Sequence, residues 1–292
     1  MTYLKSASHN RNEKGRIGSY LSVLIQLQAR NVKVNLQVID FHTHPYLSDT
    51  ENTCMYKEAV SLDMNAYRLD LKQAGIIHIC GSVIEKNGYS PQKGFDYIRS
   101  LNRKALEIKK NLGDFYTPGF HVHPDYVRES CEEIAYMKEH GIKLIGELVP
   151  YMHGWSDYSC RGLGEILDYA QECGMIISFH SADDEQMDRM ISEHPNLLFV
   201  AAHPGEKDKY DKHIQRLSRY ENAYLDLSGT GLFRYGMLAY GVKHIGADRI
   251  LFGSDYPICN PRMYVQAVLQ EHISSGDCEK ILYKNAARVL GM

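Results

Sequence analysis

The stretch Val38-Ile39-Asp40-Phe41-His42-Thr43-His44-Pro45 decides the reading of the fold. It opens as an apolar run, places two histidines at alternate positions and stops at a proline. Side chains alternate along a strand, so His42 and His44 share a face about 7 Å apart along the chain, a spacing at which two imidazoles can chelate one cation. The layout recurs downstream. Gly146-Glu147-Leu148 closes one apolar run and Met175-Ile176-Ile177-Ser178-Phe179-His180 forms another. Leu197 to Ala202 leads into His203-Pro204-Gly205, and Ile250-Leu251-Phe252-Gly253-Ser254 leads into Asp255-Tyr256-Pro257. Each run is short and apolar, ends on a metal-competent side chain and meets a loop signal.

Working outward, strand patterns cover 37–44, 76–84, 115–122, 142–149, 175–180, 197–203, 223–228 and 250–255. Helical periodicity fills the intervals 63–74, 93–112, 126–140, 162–173, 184–193 and 207–219. Gly75, Gly141 and Gly174 each stand just before a strand, as a helix C-cap does. Eight strands alternating with helices predict an α/β fold, the closed (β/α)8 TIM barrel. A doubly wound open sheet is the competing architecture, but no glycine-rich phosphate loop follows the first strand. No linker or repeat interrupts 37–292, so one barrel domain is expected there. Residues 1–36 read as a short N-terminal extension, with an apolar helix over 17–27 packed on the barrel floor.

Composition narrows the function. The chain has 292 residues, 44% of them hydrophobic and 24% charged, with a formal net charge of -3. That balance gives no electrostatic footprint for nucleic acid or an anionic membrane. No apolar run is long enough to span a bilayer, and the polar N-terminus does not resemble a signal peptide. The seven cysteines are scattered, odd in number and lack a C-x-x-C pair, which predicts a reducing, cytoplasmic setting. Oligomeric state is not readable, and a homo-oligomer is compatible with the sequence.

In a parallel barrel the C-terminal strand ends surround one mouth where loops build the active site. A histidine or aspartate at one strand end is ordinarily a capping or hydrogen-bonding residue. Five such ends at one mouth have no simple structural explanation, and imidazole with carboxylate suits Zn²⁺, with Mn²⁺ or Fe²⁺ as alternatives.

The order of H-x-H, a strand-four carboxylate, single histidines on strands five and six and an aspartate on strand eight resembles the amidohydrolase superfamily. The phrases Ile39-Asp40-Phe41-His42-Thr43-His44 and Leu251-Phe252-Gly253-Ser254-Asp255-Tyr256-Pro257, with the closing helix Lys280 to Arg288, are similar to its amidohydrolase-related (type 2) branch. The resemblance runs from about 37 to 291. It implies a divalent metal site with His42, His44, His180 and Asp255 as ligands. It makes His203 either a second-metal ligand or a carbonyl-polarising group. Many members of that branch hold one metal without a strand-four carboxylate. Glu147 is therefore expected either to bridge two ions or to orient a histidine. Lys143 is expected deeper on the same strand face as a barrel-interior charge.

Other expectations are softer. His121 and His123 close strand three, and at least one should face the mouth. His123, with His153 and Trp155 of the aromatic loop 151–158, is assigned to substrate binding against a loop-packing alternative. Asp226 and Ser228 either touch substrate or cap a loop, and Asp40 is a candidate supporting partner on strand one. The segment 207–219 reads as a solvated helix face.

Together these residues predict a metal-dependent hydrolase that activates a water to cleave an amide, lactone or ester bond of a small molecule. Asp255 would move the proton, and the metal or His203 would stabilise the oxyanion. The alternatives are non-oxidative decarboxylation by the same kind of barrel, small-phosphoester hydrolysis and a metal-binding barrel without catalysis.

Overall fold

The computed structural model describes residues 37–292, and the helix expected over 17–27 lies outside them. Eight strands form one sheet in sequence order: β1 (Val38–Thr43), β2 (Ile76–Ser82), β3 (Tyr116–Phe120), β4 (Leu144–Leu148), β5 (Ile176–His180), β6 (Leu198–Ala202), β7 (Ala223–Asp226) and β8 (Ile250–Leu251). Neighbouring pairs run parallel throughout. A helix follows each: α1 (Met64–Gln73), α2 (Gly94–Leu112), α3 (Val127–Glu139), α4 (Arg161–Glu172), α5 (Asp184–Glu193), α6 (Lys207–Arg219), α7 (Met237–Ile245) and α8 (Pro261–Leu269). The chain beyond β8 closes the ring against β1: Phe41 N donates to Phe252 O at 2.9 Å, Asp255 N to His42 O at 2.9 Å and His44 N to Tyr256 O at 2.8 Å. The fold is the (β/α)8 barrel.

Local signals account for the elements. In α4 the apolar positions Leu163, Ile166, Leu167 and Ala170 are all buried, the 3.6-residue stripe that packs a helix on a sheet. Asp63, Asp183 and Asn260 cap α1, α5 and α8 through their side chains, satisfying amides that the first helical turn leaves open. Gly75, Gly141 and Gly174 have φ of 86°, 74° and 67°, the left-handed turn in which a helix hands over to a strand.

One end of the barrel is filled by the chain's own C-terminus. After α9 (Ser275–Glu279) and a π-helical turn at Lys280–Lys284 comes α10 (Asn285–Leu290). Its Ala286 and Ala287 share a buried cluster with Ile39, Leu144, Ile176 and Val200. Leu144 and Ile176 begin their strands, so this is the N-terminal floor, and the opposite end is left for chemistry. Asn285 pins the plug by donating to Ala247 O at 2.7 Å and Ile250 O at 2.8 Å. Among the described residues no helix is long and apolar enough to cross a membrane.

Two expectations are corrected. Lys143 is exposed and precedes β4, so it is no barrel-interior charge. The register between β4 and β5 is irregular between Ile145 and Leu148, so counting alternate residues does not carry through to Glu147. The face of α6 is not wholly solvated either. Arg216 is buried, because Asp188 at 2.6 Å and Asp184 at 2.8 Å, both from α5, satisfy its guanidinium.

Candidate metal centre

The mouth gathers His42 and His44 from β1 and its end, Glu147 from β4, His180 from β5, His203 after β6 and Asp255 after β8. His203 and Asp255 are non-glycine residues at φ of 67° and 63°. That strained conformation persists only where surrounding structure fixes it, and it concentrates at functional sites. Here it turns both side chains back over the mouth just where the strands stop.

Donor atoms of His44, Glu147 and Asp255 surround that of His42. His42 Nε2 is 3.3 Å from His44 Nε2, 3.4 Å from Glu147 Oε2 and 3.7 Å from Asp255 Oδ1. His44 Nε2 is 3.6 Å from Glu147 Oε2 and 3.2 Å from Asp255 Oδ1. A tetrahedron with zinc-like arms of about 2.1 Å has edges of about 3.4 Å. Donor identity and spacing both fit a divalent cation.

The hydrogen bonds behind these atoms point the same way. His44 Nδ1 lies 3.1 Å from Ser82 O, and a carbonyl only accepts, so Nδ1 carries the proton and Nε2 the lone pair. His42 Nδ1 likewise donates to Asp226 Oδ2 at 2.9 Å. Two imidazole lone pairs at 3.3 Å repel unless a cation or a shared proton lies between them. Asp255 Oδ1 is buried with no hydrogen-bond donor, a costly state for a carboxylate oxygen that a cation would relieve.

Glu147 spans the mouth. Its Oε2 faces His42 and His44, while its Oε1 lies 2.8 Å from His180 Nδ1 and 3.5 Å from His203 Nε2. Burial alone would raise its pKa, yet the charge of His42 and the bond from His180 hold it well below the usual carboxylate range. Burial likewise acts against Asp226 and Asp255, and the imidazoles around them keep both lowered. His42 and His203 respond in the opposite sense. Burial opposes their charge, but Asp226 and Glu147 raise His42 well above its ordinary value, and Glu147 raises His203. A pocket that stabilises three carboxylates and draws protons onto its imidazoles is poised for positive charge.

The expected ligands thus divide. His42, His44 and Asp255 form one group with donor atoms within 4.8 Å of one another, one Glu147 oxygen faces His42 and His44, and His180 and His203 stand at the other. His42, Glu147 and His203 also form a group with donor atoms within 4.8 Å of one another. Asp40 meets no imidazole: it accepts from His42 N at 3.2 Å, Ser254 N at 2.9 Å and Ser254 Oγ at 2.5 Å. It braces the backbone between the β1 and β8 ends. Burial raises its carboxyl to about 7.

A cleft of about 600 Å³ adjoins the centre, lined by Lys86, Tyr89, Tyr126, Tyr151 and others from the loops after β2, β3 and β4. Tyr151 joins the two, its ring centroid 5.4 Å from that of His180. His123 lies behind this wall, stacked on Tyr89 at 5.3 Å. Both of its ring nitrogens are engaged, one with His153 O at 2.8 Å and one with Asp125 N at 3.1 Å. His153 and Trp155 are buried beside it, and Gly154 between them lines the cleft. His121 donates to Val83 O at 2.8 Å and leaves Nδ1 buried without a partner. Burial keeps it neutral, lowered to about 4. Asp226 and Ser228 were legible only as a polar pair at alternate positions, the same i, i+2 pattern as His42 and His44.

The model of the amidohydrolase family matches residues 39–292. No curated protein sequence matches the chain. Among solved structures, 2,6-dihydroxybenzoate decarboxylase from Rhizobium is 18% identical with a TM-score of 0.66, over 88% of this chain and 98% of that one. The manganese-bound 5-carboxyvanillate decarboxylase of Novosphingobium aromaticivorans is 14% identical with a TM-score of 0.66, over 88% and 97%. A candidate 2-pyrone-4,6-dicarboxylic acid hydrolase from Pseudomonas putida is 18% identical with a TM-score of 0.65, over 88% and 98%. At these identities the likeness establishes the fold.

Proposed function

The chain belongs to the amidohydrolase family, and on that premise we propose that it is a metal-dependent hydrolase cleaving an amide, lactone or ester bond of a small molecule. The observation that carries the proposal is Glu147 set between two groups of donors, with His42 and His44 on one side and His180 and His203 on the other. A first divalent ion would be held by His42, His44, Asp255 and Glu147, and a second by Glu147, His180 and His203. Histidine nitrogen with carboxylate oxygen favours Zn²⁺, and the manganese of the Novosphingobium enzyme makes Mn²⁺ the alternative. Ions bound there would bring a water's pKa toward neutrality and polarise the scissile carbonyl.

The chain's residues then do the rest. Asp255, holding the first ion through Oδ1, would accept the proton of the attacking water on its other oxygen and return it to the leaving group. Three ionised carboxylates, Glu147, Asp226 and Asp255, are outweighed by two divalent cations by one charge. That balance favours deprotonating a water or binding an anionic centre. The tyrosine-lined cleft receives the remainder of the substrate, and the wall of His123, His153 and Trp155 holds its shape. The unpaired cysteines suit the reducing, cytoplasmic setting expected from the sequence.

Decarboxylation of an aromatic acid is a second reading, supported by the names of two structural neighbours. One experiment separates the two. Protein reconstituted with Zn²⁺ or Mn²⁺ is assayed on aryl esters, lactones and N-acyl compounds, and in parallel on hydroxybenzoates for released CO₂. Hydrolysis that chelator abolishes and metal restores is the expected result. CO₂ release with no hydrolysis would overturn it.

A further inference from the structure

Asp226 and Ser228 form a hydrogen-bonded bridge between the two halves of the centre. Asp226 Oδ2 accepts from His42 Nδ1 at 2.9 Å. Its Oδ1 accepts from Ser228 N at 2.9 Å and from the Ser228 hydroxyl. Ser228 Oγ in turn lies 3.0 Å from His203 Nδ1. Asp226 and Ser228 are both fully buried, so no water competes for these bonds.

Counting protons along the bridge leaves one solution. Asp226 is ionised and only accepts, so the single hydroxyl proton of Ser228 points to Asp226. The oxygen of Ser228 must then accept from His203, which places a proton on His203 Nδ1. His42 carries its proton on Nδ1 for the same reason. Both imidazoles are thereby left with Nε2 facing Glu147, at 3.4 Å for His42 and 3.5 Å for His203.

We propose that Asp226 and Ser228 are positioning residues by which one carboxylate sets the tautomers of two histidines in separate halves of the metal centre. Ser228 is the link that commits His203 Nε2 to the second cation. This rests on the metal-site reading above. It also decides how His203 can act. A neutral His203 with Nδ1 protonated offers a lone pair at the mouth, so it serves as a ligand and not as a hydrogen-bond donor to a carbonyl. Gly229 seals the arrangement: at φ 62° its backbone passes so close that a Cβ would lie 2.4 Å from His203 Nδ1. Any side chain at 229 would push the imidazole off Ser228.

The test reads the tautomer directly. Protein with ¹⁵N-labelled histidine, metal-free and at alkaline pH where the imidazoles are neutral, is examined by long-range ¹H–¹⁵N correlation, with His203 assigned through a His203→Gln control. Wild type is expected to show His203 protonated at Nδ1. In Ser228→Ala the acceptor at Nδ1 is gone while Glu147 remains at Nε2, so the proton is expected to move to Nε2. Zinc titration monitored by elemental analysis is the second readout. Ser228→Ala is expected to keep the first ion and weaken the second about 10- to 100-fold, the usual scale for loss of a group that orients a ligand. A wild-type His203 protonated at Nε2, or a Ser228→Ala protein with unchanged tautomer, would overturn the proposal. So would equal weakening of both ions. A wild type that takes up one ion alone would refute the two-ion reading, while the wild-type spectrum, which needs neither metal nor variant, would still decide the tautomer.

Discussion

Replacing Glu147 by glutamine keeps the side chain's shape and removes its charge. The residue is only 4% exposed, so solvent cannot take over its role. Its two oxygens face different donors, His42 and His44 at 3.4 and 3.6 Å and His180 and His203 at 2.8 and 3.5 Å. An amide has one oxygen, so Glu147→Gln can serve one side and must present an NH₂ group to the other. Unit charges about 4 Å apart interact by about 4 kcal/mol at the effective dielectric that fits protein sites. At 1.4 kcal/mol per tenfold, that corresponds to about three orders of magnitude in affinity for the ion that loses its carboxylate oxygen. Metal content after dialysis at fixed free zinc is expected to fall from two ions per chain to one. Hydrolysis should fall with it, and circular dichroism should stay unchanged. Two ions retained at wild-type affinity would refute the bridging role and leave Glu147 as an orienting partner of His180.

Three further outcomes follow from particular residues. In the metal-free protein, His42 and His203 sit above their ordinary value of 6.5, so their contribution to stability is complete below that pH and is lost as pH rises through the folded values. Asp40, raised to about 7, acts in the same direction. Five other buried histidines, His78, His121, His123, His153 and His213, are lowered by burial and act in the opposite sense, but they do so with and without metal. The gain in melting temperature on adding zinc to chelator-treated protein should therefore grow from pH 6 to pH 9, and a zinc gain independent of pH would contradict this. Gly229→Ala should reproduce the Ser228→Ala loss of the second ion, because the new methyl displaces His203, and unchanged zinc stoichiometry would count against that contact. Asn285→Ala leaves the carbonyl of Ile250 without its donor and Ala247 O with only the Ile250 amide, and is expected to destabilise by about 1–3 kcal/mol in a denaturant melt. No shift in midpoint would remove Asn285 as the clasp of the C-terminal plug.

The barrel was legible because its strands fall on short apolar runs, and all eight stand within the expected segments. The metal-competent residues were legible because each is a polar side chain ending such a run. What failed was counting. His42 and His44 do meet on one face, although the register between β1 and β2 shifts between Asp40 and Thr43; at Glu147 the register between β4 and β5 slips likewise between Ile145 and Leu148. Counting also fails for His203 and Asp255, which lie past their strands in the left-handed region. Nothing in the residue type announces that conformation at a histidine or aspartate. The relay through Asp226 and Ser228 left a trace, a polar pair at i, i+2 in an apolar strand, but the trace does not say what the pair touches. The orienting contacts of His44, His121 and His123 left none. Their partners are the carbonyl oxygens of Ser82, Val83 and His153, atoms that every residue possesses. A sequence can name a ligand by its side chain. Which nitrogen an imidazole turns to the mouth is set by what holds the other, a backbone oxygen for His44 and the Asp226–Ser228 pair for His42 and His203, so it becomes readable only once strand ends are placed in space.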